Sequence, residues 1–126
     1  MRYTLGKKES LKSKKYFDAL FAQGSSVKRY PIRAIFIAYN QDNFPEYQIP
    51  NVSQVAFSVP KKRFKRAVDR NRIKRQMREA YRLNKFLLDE NYAIIFVYLA
   101  KEEMTSIQIS EAITQILKDI NTKIPS

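Results

Sequence analysis

The residues best suited to chemistry lie in the run KKRFKRAVDRNRIKRQMREAYR, residues 61–82. Eleven of them are Lys or Arg, against Asp69 and Glu79 alone, so this run carries +9 of the chain's net +12. Arginine's planar fork matches two phosphate oxygens at once, and lysine adds point charges. Asn71 both donates and accepts hydrogen bonds, which suits a ribose or a base edge. Charge concentrated in this way is the footprint of a polyanion-binding surface. The plain alternative is a solvated helix face. Such faces usually mix signs, and like charges four residues apart cost stability unless an anion neutralises them.

Catalysis by the chain's own side chains is not indicated. Histidine and cysteine are absent, which removes the usual general acid–base, the usual metal ligands and any disulfide. Two glycines leave no glycine-rich phosphate loop. Six of the twelve carboxylates lie from Leu83 onward, and the rest are scattered among basic residues or in a loop. No catalytic residue and no metal ligand is assigned, and no cofactor is expected to bind the protein.

The cations must be positioned by a helix. Ile73, Met77, Ala80 and Tyr81 recur at i, i+4, i+7 and i+8, one apolar face. Asn71, Arg75, Arg78 and Arg82 follow the same spacing on another face, widened by Lys74. A helix over residues 69–84 is predicted, with Asp69 placed to cap its start. Arg70, Arg72, Lys74, Arg75 and Arg78 would stand at fixed spacing, although not all can share one direction.

The rest of the chain supplies a scaffold. Residues 1–30 carry net +6, and residues 1–10 read as a mobile basic arm. A helix follows over Lys14–Gln23, with Ser13 as N-cap and Gly24 just past the end. Tyr16, Phe17, Leu20 and Phe21 form its apolar side. Tyr16 and Leu20 read as core, whereas Phe17 and Phe21 stand open between core and a stacking surface for bases. Residues 25–30 read as a short strand and residues 32–39 as a longer one, apolar on both sides except for Arg33. The polar residues 40–53 read as a long hairpin connection. A strand over residues 54–59 is ended by Pro60. Residues 92–99, YAIIFVYL, are apolar throughout and predict a central strand. A last helix over residues 105–120 begins with a Thr105–Gln108 capping box, and the net −2 from Leu83 onward keeps it away from RNA. The expected fold class is α+β: a single-domain sandwich over residues 1–126, of order α-β-β-β-α-β-α, with a mixed sheet. No apolar run of 18 residues and no N-terminal apolar segment is present, so no membrane association is expected, and the cytoplasm is the default location.

Arg70-Asn71-Arg72, Ile73-Lys74-Arg75 and Arg78-Glu79-Ala80-Tyr81 resemble the signature of the bacterial ribonuclease P protein subunit. Ser58-Val59-Pro60-Lys61-Lys62 resembles the strand end that precedes it. Leu11-Lys12-Ser13-Lys14-Lys15-Tyr16-Phe17, with Phe21 and Gly24, is similar to the family's N-terminal segment. The resemblance covers nearly the whole chain in the same order. It implies a protein that assists removal of the 5′ leader from precursor tRNA, while an RNA subunit performs the hydrolysis with RNA-bound Mg²⁺. It implies contacts to that catalytic RNA by Lys61, Lys62, Arg70, Asn71, Arg72, Lys74, Arg75 and Arg78. It also implies a cleft for the leader between the first helix and the sheet, lined by Phe17, Phe21, Lys14, Arg33 and Phe36. No protein partner is required. The default hand of a β-α-β crossover is right, but the family's is a rare left-handed one. The linker Arg63-Phe64-Lys65-Arg66 is more basic and aromatic than in many members, which leaves its path open. Two rivals remain: a structural or ribosomal RNA-binding protein with no role in tRNA processing, and a helix-turn-helix DNA binder. The second is disfavoured because strands, not another helix, flank the basic helix.

Overall fold

The computed structural model describes residues 9–45 and 49–122. The elements follow the predicted order: α1 (Lys14–Gln23), β1 (Ser25–Arg29), β2 (Ile32–Ala38), β3 (Gln54–Ser58), α2 (Ala67–Asn84), β4 (Tyr92–Tyr98) and α3 (Ser106–Thr122). A turn of 3-10 helix, Lys85–Leu87, closes the end of α2.

β4 takes the centre because both of its faces are apolar and only a central strand buries both. It pairs antiparallel with β2 and parallel with β3, giving the order β1-β2-β4-β3 in a mixed four-stranded sheet. This corrects one expectation. The connection over residues 40–53 is not a hairpin, because β2 and β3 are not neighbours; it passes the end of β4 that separates them. Phe44, buried in the loop, anchors it by edge contact with Tyr16 at 5.2 Å, and Asn43 donates through Nδ2 to the carbonyl of Ala38 at 2.9 Å.

Alternation along the strands divides the interior into two cores. Val27, Ile32, Ala34, Phe36, Val55, Tyr92, Ile94, Phe96 and Tyr98 face α2 and α3. From the helices come Ile73, Met77, Ala80 and Tyr81, and Ile109, Ala112, Ile113, Ile116, Leu117 and Ile120, all buried as their spacing predicts. On the other face Ile37, Ala93 and Ile95 pack with Tyr16 and Leu20 of α1, and with Leu11, Tyr39 and Phe44.

The helix ends show which caps form. Thr105 and Gln108 bond reciprocally: the Gln108 N–H donates to Thr105 Oγ1 at 3.1 Å and the Thr105 N–H to Gln108 Oε1 at 2.9 Å. Ser13 holds the N-cap position of α1, yet its hydroxyl makes no capping bond; its carbonyl accepts from Tyr16 and Phe17. Asp69 does not cap α2, which starts two residues earlier at Ala67 with Arg66 at the cap position. It sits in the first turn, near the positive helix end, 3.5 Å from Arg72 and 4.0 Å from Arg66. Gly24 ends α1 in extended backbone, with φ −68° and ψ 151°. Space rather than dihedral freedom demands glycine there, since a Cβ would lie 2.4 Å from the Leu20 carbonyl oxygen and 3.0 Å from Ile35.

Ion pairs tie distant segments together. Arg29 of β1 grips the buried Asp119 of α3 through Nε at 2.6 Å and Nη2 at 3.1 Å. The Arg29 guanidinium thereby holds the Asp119 carboxyl below the usual carboxylate range. Of the arm expected over residues 1–10, residues 1–8 lie outside those described. Glu9 and Ser10 are held rather than loose: Glu9 pairs with Lys85 at 2.7 Å, and Ser10 bridges to Val55.

Candidate nucleic-acid interface

With about 100° per residue, the positions on α2 can be set round the axis from Ile73. Met77, Arg70 and Tyr81 fall at about 40°, 60° and 80°, Lys74 at 100°, Arg78 at 140°, Asn71 at 160°, Arg75 at 200° and Arg72 at 260°. The contacts agree with this order. Arg78 lies over the ring of Phe57 on β3, 5.6 Å from its centroid. Arg75, on the other side, borders a groove lined by Leu83 of α2 and Ile107 of α3. Lys74, Asn71, Arg78 and Arg75 thus form an outward arc. Lys74, Asn71 and Arg75 make no ion pair among the described residues. Arg82, at the far end, is paired with Glu79, which lowers the Glu79 carboxyl.

The two remaining signature arginines are placed differently. Arg70 lies on the inward side, and its Nη1 donates to the carbonyls of Phe64 at 2.7 Å and Lys65 at 3.0 Å. Arg72 turns toward the β4–α3 loop, where its Nη1 reaches both carboxylate oxygens of Glu103 at 2.9 Å. Lys61 and Lys62, at the end of β3, are exposed.

A second cationic surface lies on the opposite face of the sheet. α1 starts where the Leu11 N–H bonds the Val55 carbonyl of β3 and ends where Gly24 enters β1, so it crosses the strands. Tyr16 leans on Tyr39 and Phe44 beyond one end of the sheet. Phe17 and Phe21 are about 100° and 140° further round the helix, on the flank toward the strands' other end. There the register aligns Lys28, Arg33, Val97 and Ser58 in one row across β1, β2, β4 and β3. Lys28, Arg33 and Ser58 are exposed and Val97 is half-buried. Arg33 is steadied by a 3.1 Å bond from its Nε to Ser26 Oγ.

Among the expected leader residues, Phe21 is 69% exposed, Lys14 is exposed, and Phe17 is half-buried against the smaller core. Phe36 is the exception. Its ring is 7% exposed in the larger core, edge-on to Tyr92 at 5.9 Å. Strand alternation puts it on the α2–α3 side, so it cannot line a cleft beneath α1. Lys28 was not singled out by the sequence. Only the β1–β2 register, which sets it directly across from Arg33, brings it into the row. Like charges directly opposite on a sheet are destabilising, which an anion in the row would relieve.

Comparison with known proteins places this arrangement. The family model described as Ribonuclease P matches residues 5–121. The ribonuclease P protein component of Porphyromonas gingivalis is 34% identical over 131 residues, spanning 98% of this chain and 91% of that one. That of Chlorobaculum tepidum is 37% identical over 107 residues, spanning 75% and 67%. The solved Staphylococcus aureus RNase P protein superposes with a TM-score of 0.71 at 25% identity, covering 89% of this chain and 94% of its own. The Thermotoga maritima RNase P protein gives 0.71 at 22% identity over 94% and 99% of the two chains, a likeness of fold. With the match running through both cationic surfaces and the scaffold between them, this chain belongs to the ribonuclease P protein family.

Proposed function

We propose that this chain is the RNA-binding subunit of ribonuclease P and bridges two RNAs across one sheet. The outward arc of α2, with Asn71, Lys74, Arg75 and Arg78, and the neighbouring Lys61 and Lys62 hold the catalytic RNA. The Lys28–Arg33–Val97–Ser58 row, walled by Phe17, Phe21 and Lys14, holds the 5′ leader of precursor tRNA. The observation that carries this reading is the pairing of Lys28 with Arg33 on a sheet face that α1 leaves partly open. It gives the protein a second anion site, on the face of the sheet away from α2, and a single-RNA binder has no use for it. Charge for the backbone beside ring faces for unstacked bases suits a single strand of any sequence, as leaders are.

The hydrolysis belongs to the RNA subunit and its Mg²⁺, and the protein contributes binding and placement. The chain has no histidine or cysteine to act as acid, base or nucleophile. No further protein partner is needed, and the cytoplasm is the site of action. Among the described residues no helix is long and apolar enough to cross a membrane. The test is reconstitution. At low Mg²⁺, the catalytic RNA with this chain is expected to remove the leader far faster than the RNA alone. Tight RNA binding with no gain in cleavage would instead make it a structural RNA-binding protein.

A further inference from the structure

The loop from β3 to α2 places five cations in the six positions 61–66, namely Lys61, Lys62, Arg63, Lys65 and Arg66. All five are exposed. A segment with so much like charge repels itself and tends to extend and fluctuate. This one is fastened at three places. Phe64, the one apolar residue, is buried in the larger core, edge-on to Tyr98 at 5.7 Å. The N–H groups of Arg63 and Phe64 turn back to the Pro60 carbonyl at 3.3 and 3.2 Å. Arg70 reaches from the inward side of α2 to the carbonyls of Phe64 and Lys65. Because Arg70 bonds carbonyls and not a carboxylate, it fastens the loop without cancelling its charge. Among the described residues, Arg66 is the only one of the five near an acid, with Asp69 at 4.0 Å.

We propose that this loop is a preorganised binding site for an RNA phosphodiester backbone, with Lys61, Lys62, Arg63, Lys65 and Arg66 as phosphate contacts and Arg70 as a positioning residue acting through the loop carbonyls. The inference rests on the RNA-binding reading above and extends it to Arg63, Lys65 and Arg66, while it withdraws Arg70 from the contact set. A fixed loop loses little conformational freedom when RNA binds, so more of the charge attraction is kept as affinity. The loop leaves the sheet just past Ser58, at the end of the open row, and leads into α2. Its phosphates therefore come from either the leader or the catalytic RNA, and the chemistry is the same for both.

The experiment uses the full chain and titrates salt in two arms: the catalytic RNA alone, and the holoenzyme with precursor tRNA carrying a leader of several nucleotides. The variants are the triple Arg63→Ala/Lys65→Ala/Arg66→Ala, Arg70→Ala, and all four changes together. The triple variant is expected to keep its melting temperature and to lose about tenfold or more in affinity in at least one arm. Its log–log salt slope should become shallower by about 2 to 3 in that arm. Loss in the first arm assigns the loop to the catalytic RNA, and loss confined to the second assigns it to the leader. Arg70→Ala is expected to weaken the same arm in the wild-type loop and to cost clearly less in the triple background, where only Lys61 and Lys62 remain to be positioned. If Arg70→Ala melts below the working temperature, Arg70→Gln replaces it, since its amide keeps a donor for one carbonyl. An equal Arg70 effect in both backgrounds overturns the positioning role, as does a lower melting temperature with RNA affinity unchanged. Unchanged affinity and slope of the triple variant in both arms overturn the loop site. Failure of the wild-type chain to bind either RNA in a salt-dependent way would instead overturn the RNA-binding reading itself.

Discussion

Phe21→Leu tests leader recognition with little disturbance of the fold. The Phe21 ring is 69% exposed, so trimming it removes little buried area, and exposed substitutions of this kind shift stability by no more than about 0.5 kcal/mol. If the ring stacks on a leader base, its loss costs about 1–3 kcal/mol, which is roughly 5- to 150-fold in affinity. Phe17 provides the contrast. It packs against the smaller core, so Phe17→Leu leaves a void and lowers stability by about 1 kcal/mol in addition to any effect on RNA. The measurement is the dissociation constant of the holoenzyme for precursor tRNA with a leader of several nucleotides, set against mature tRNA, with a melt of each free variant. Phe21→Leu should weaken the precursor alone and leave both mature tRNA and the melting temperature unchanged. Equal weakening of both tRNAs, or a fall in melting temperature as large as that of Phe17→Leu, would refute the stacking argument and return Phe21 to a packing role.

Three further outcomes follow from the geometry. Arg75→Ala should weaken catalytic-RNA binding with the melting temperature kept, whereas Ile73→Asp should unfold the chain. A carboxylate at this fully buried position costs several kcal/mol, comparable with a domain's whole stability, and equal melts of the two variants would show that α2 has been rotated wrongly. Glu103→Gln removes the charge that Arg72 holds bidentately and leaves the longer 3.5 Å pair with Asp69, so catalytic-RNA affinity should rise and the salt slope steepen by up to about one contact; unchanged or weaker binding would show that Arg72 serves only to tie the β4–α3 loop to α2. Asp119→Asn should lower the melting temperature at pH 7. The folded-state pKa of Asp119 is depressed, so its contribution is complete above the unfolded carboxylate range, near about 4, and is lost as pH falls through the folded value. Melts of wild type and variant should therefore converge on acidification, and a gap that persists at low pH would exclude the ion pair as its source.

Where a residue's fate depended on local periodicity, the sequence was legible. The buried stripe of α2 and the six buried apolar positions of α3 were set by spacing alone, because a helix presents one side to its core whatever the tertiary context. β4 announced its central place by being apolar on both faces. The same property made β2 ambiguous. Its two alternating sets, Ile32, Ala34, Phe36 and Ile35, Ile37, Tyr39, are both apolar, and nothing local says which set lies beneath α1. Phe36 was assigned to the wrong side for that reason. Arg70 marks another gap. The spacing says that the five signature cations cannot all share one direction, but Arg70's own place, between Met77 and Tyr81 round the axis, gains its meaning only from the loop packed there. There the carbonyls of a neighbouring loop, invisible in the sequence, accept its hydrogen bonds. Lys28 was hidden because register is a relation between two strands, and neither strand states it alone.

The open row exists because α1 is short and crosswise. Helices α2 and α3, of 18 and 17 residues, run to about 25–27 Å at 1.5 Å per residue. Side by side they can cover one face of strands that, at 7 residues, reach about 23 Å. α1 has 10 residues, hence about 15 Å, which is about the width of four strands spaced 4.8 Å apart. Laid across the strands it spans the sheet from β3 to β1, but a helix about 10 Å thick shields less than half of the strand length. The remainder would be an apolar liability on an ordinary sheet. Here it carries Lys28, Arg33 and Ser58 on the exposed row, with Val97 half-covered and Ile95 buried toward α1. This face is polar where the helix does not reach and apolar where it does, so the boundary of α1 is also the boundary of the exposed cationic row. A change that lengthened or realigned α1 along the strands would therefore bury the Lys28–Arg33 pair, and under the proposed reading it would weaken leader binding without substituting any residue of that row.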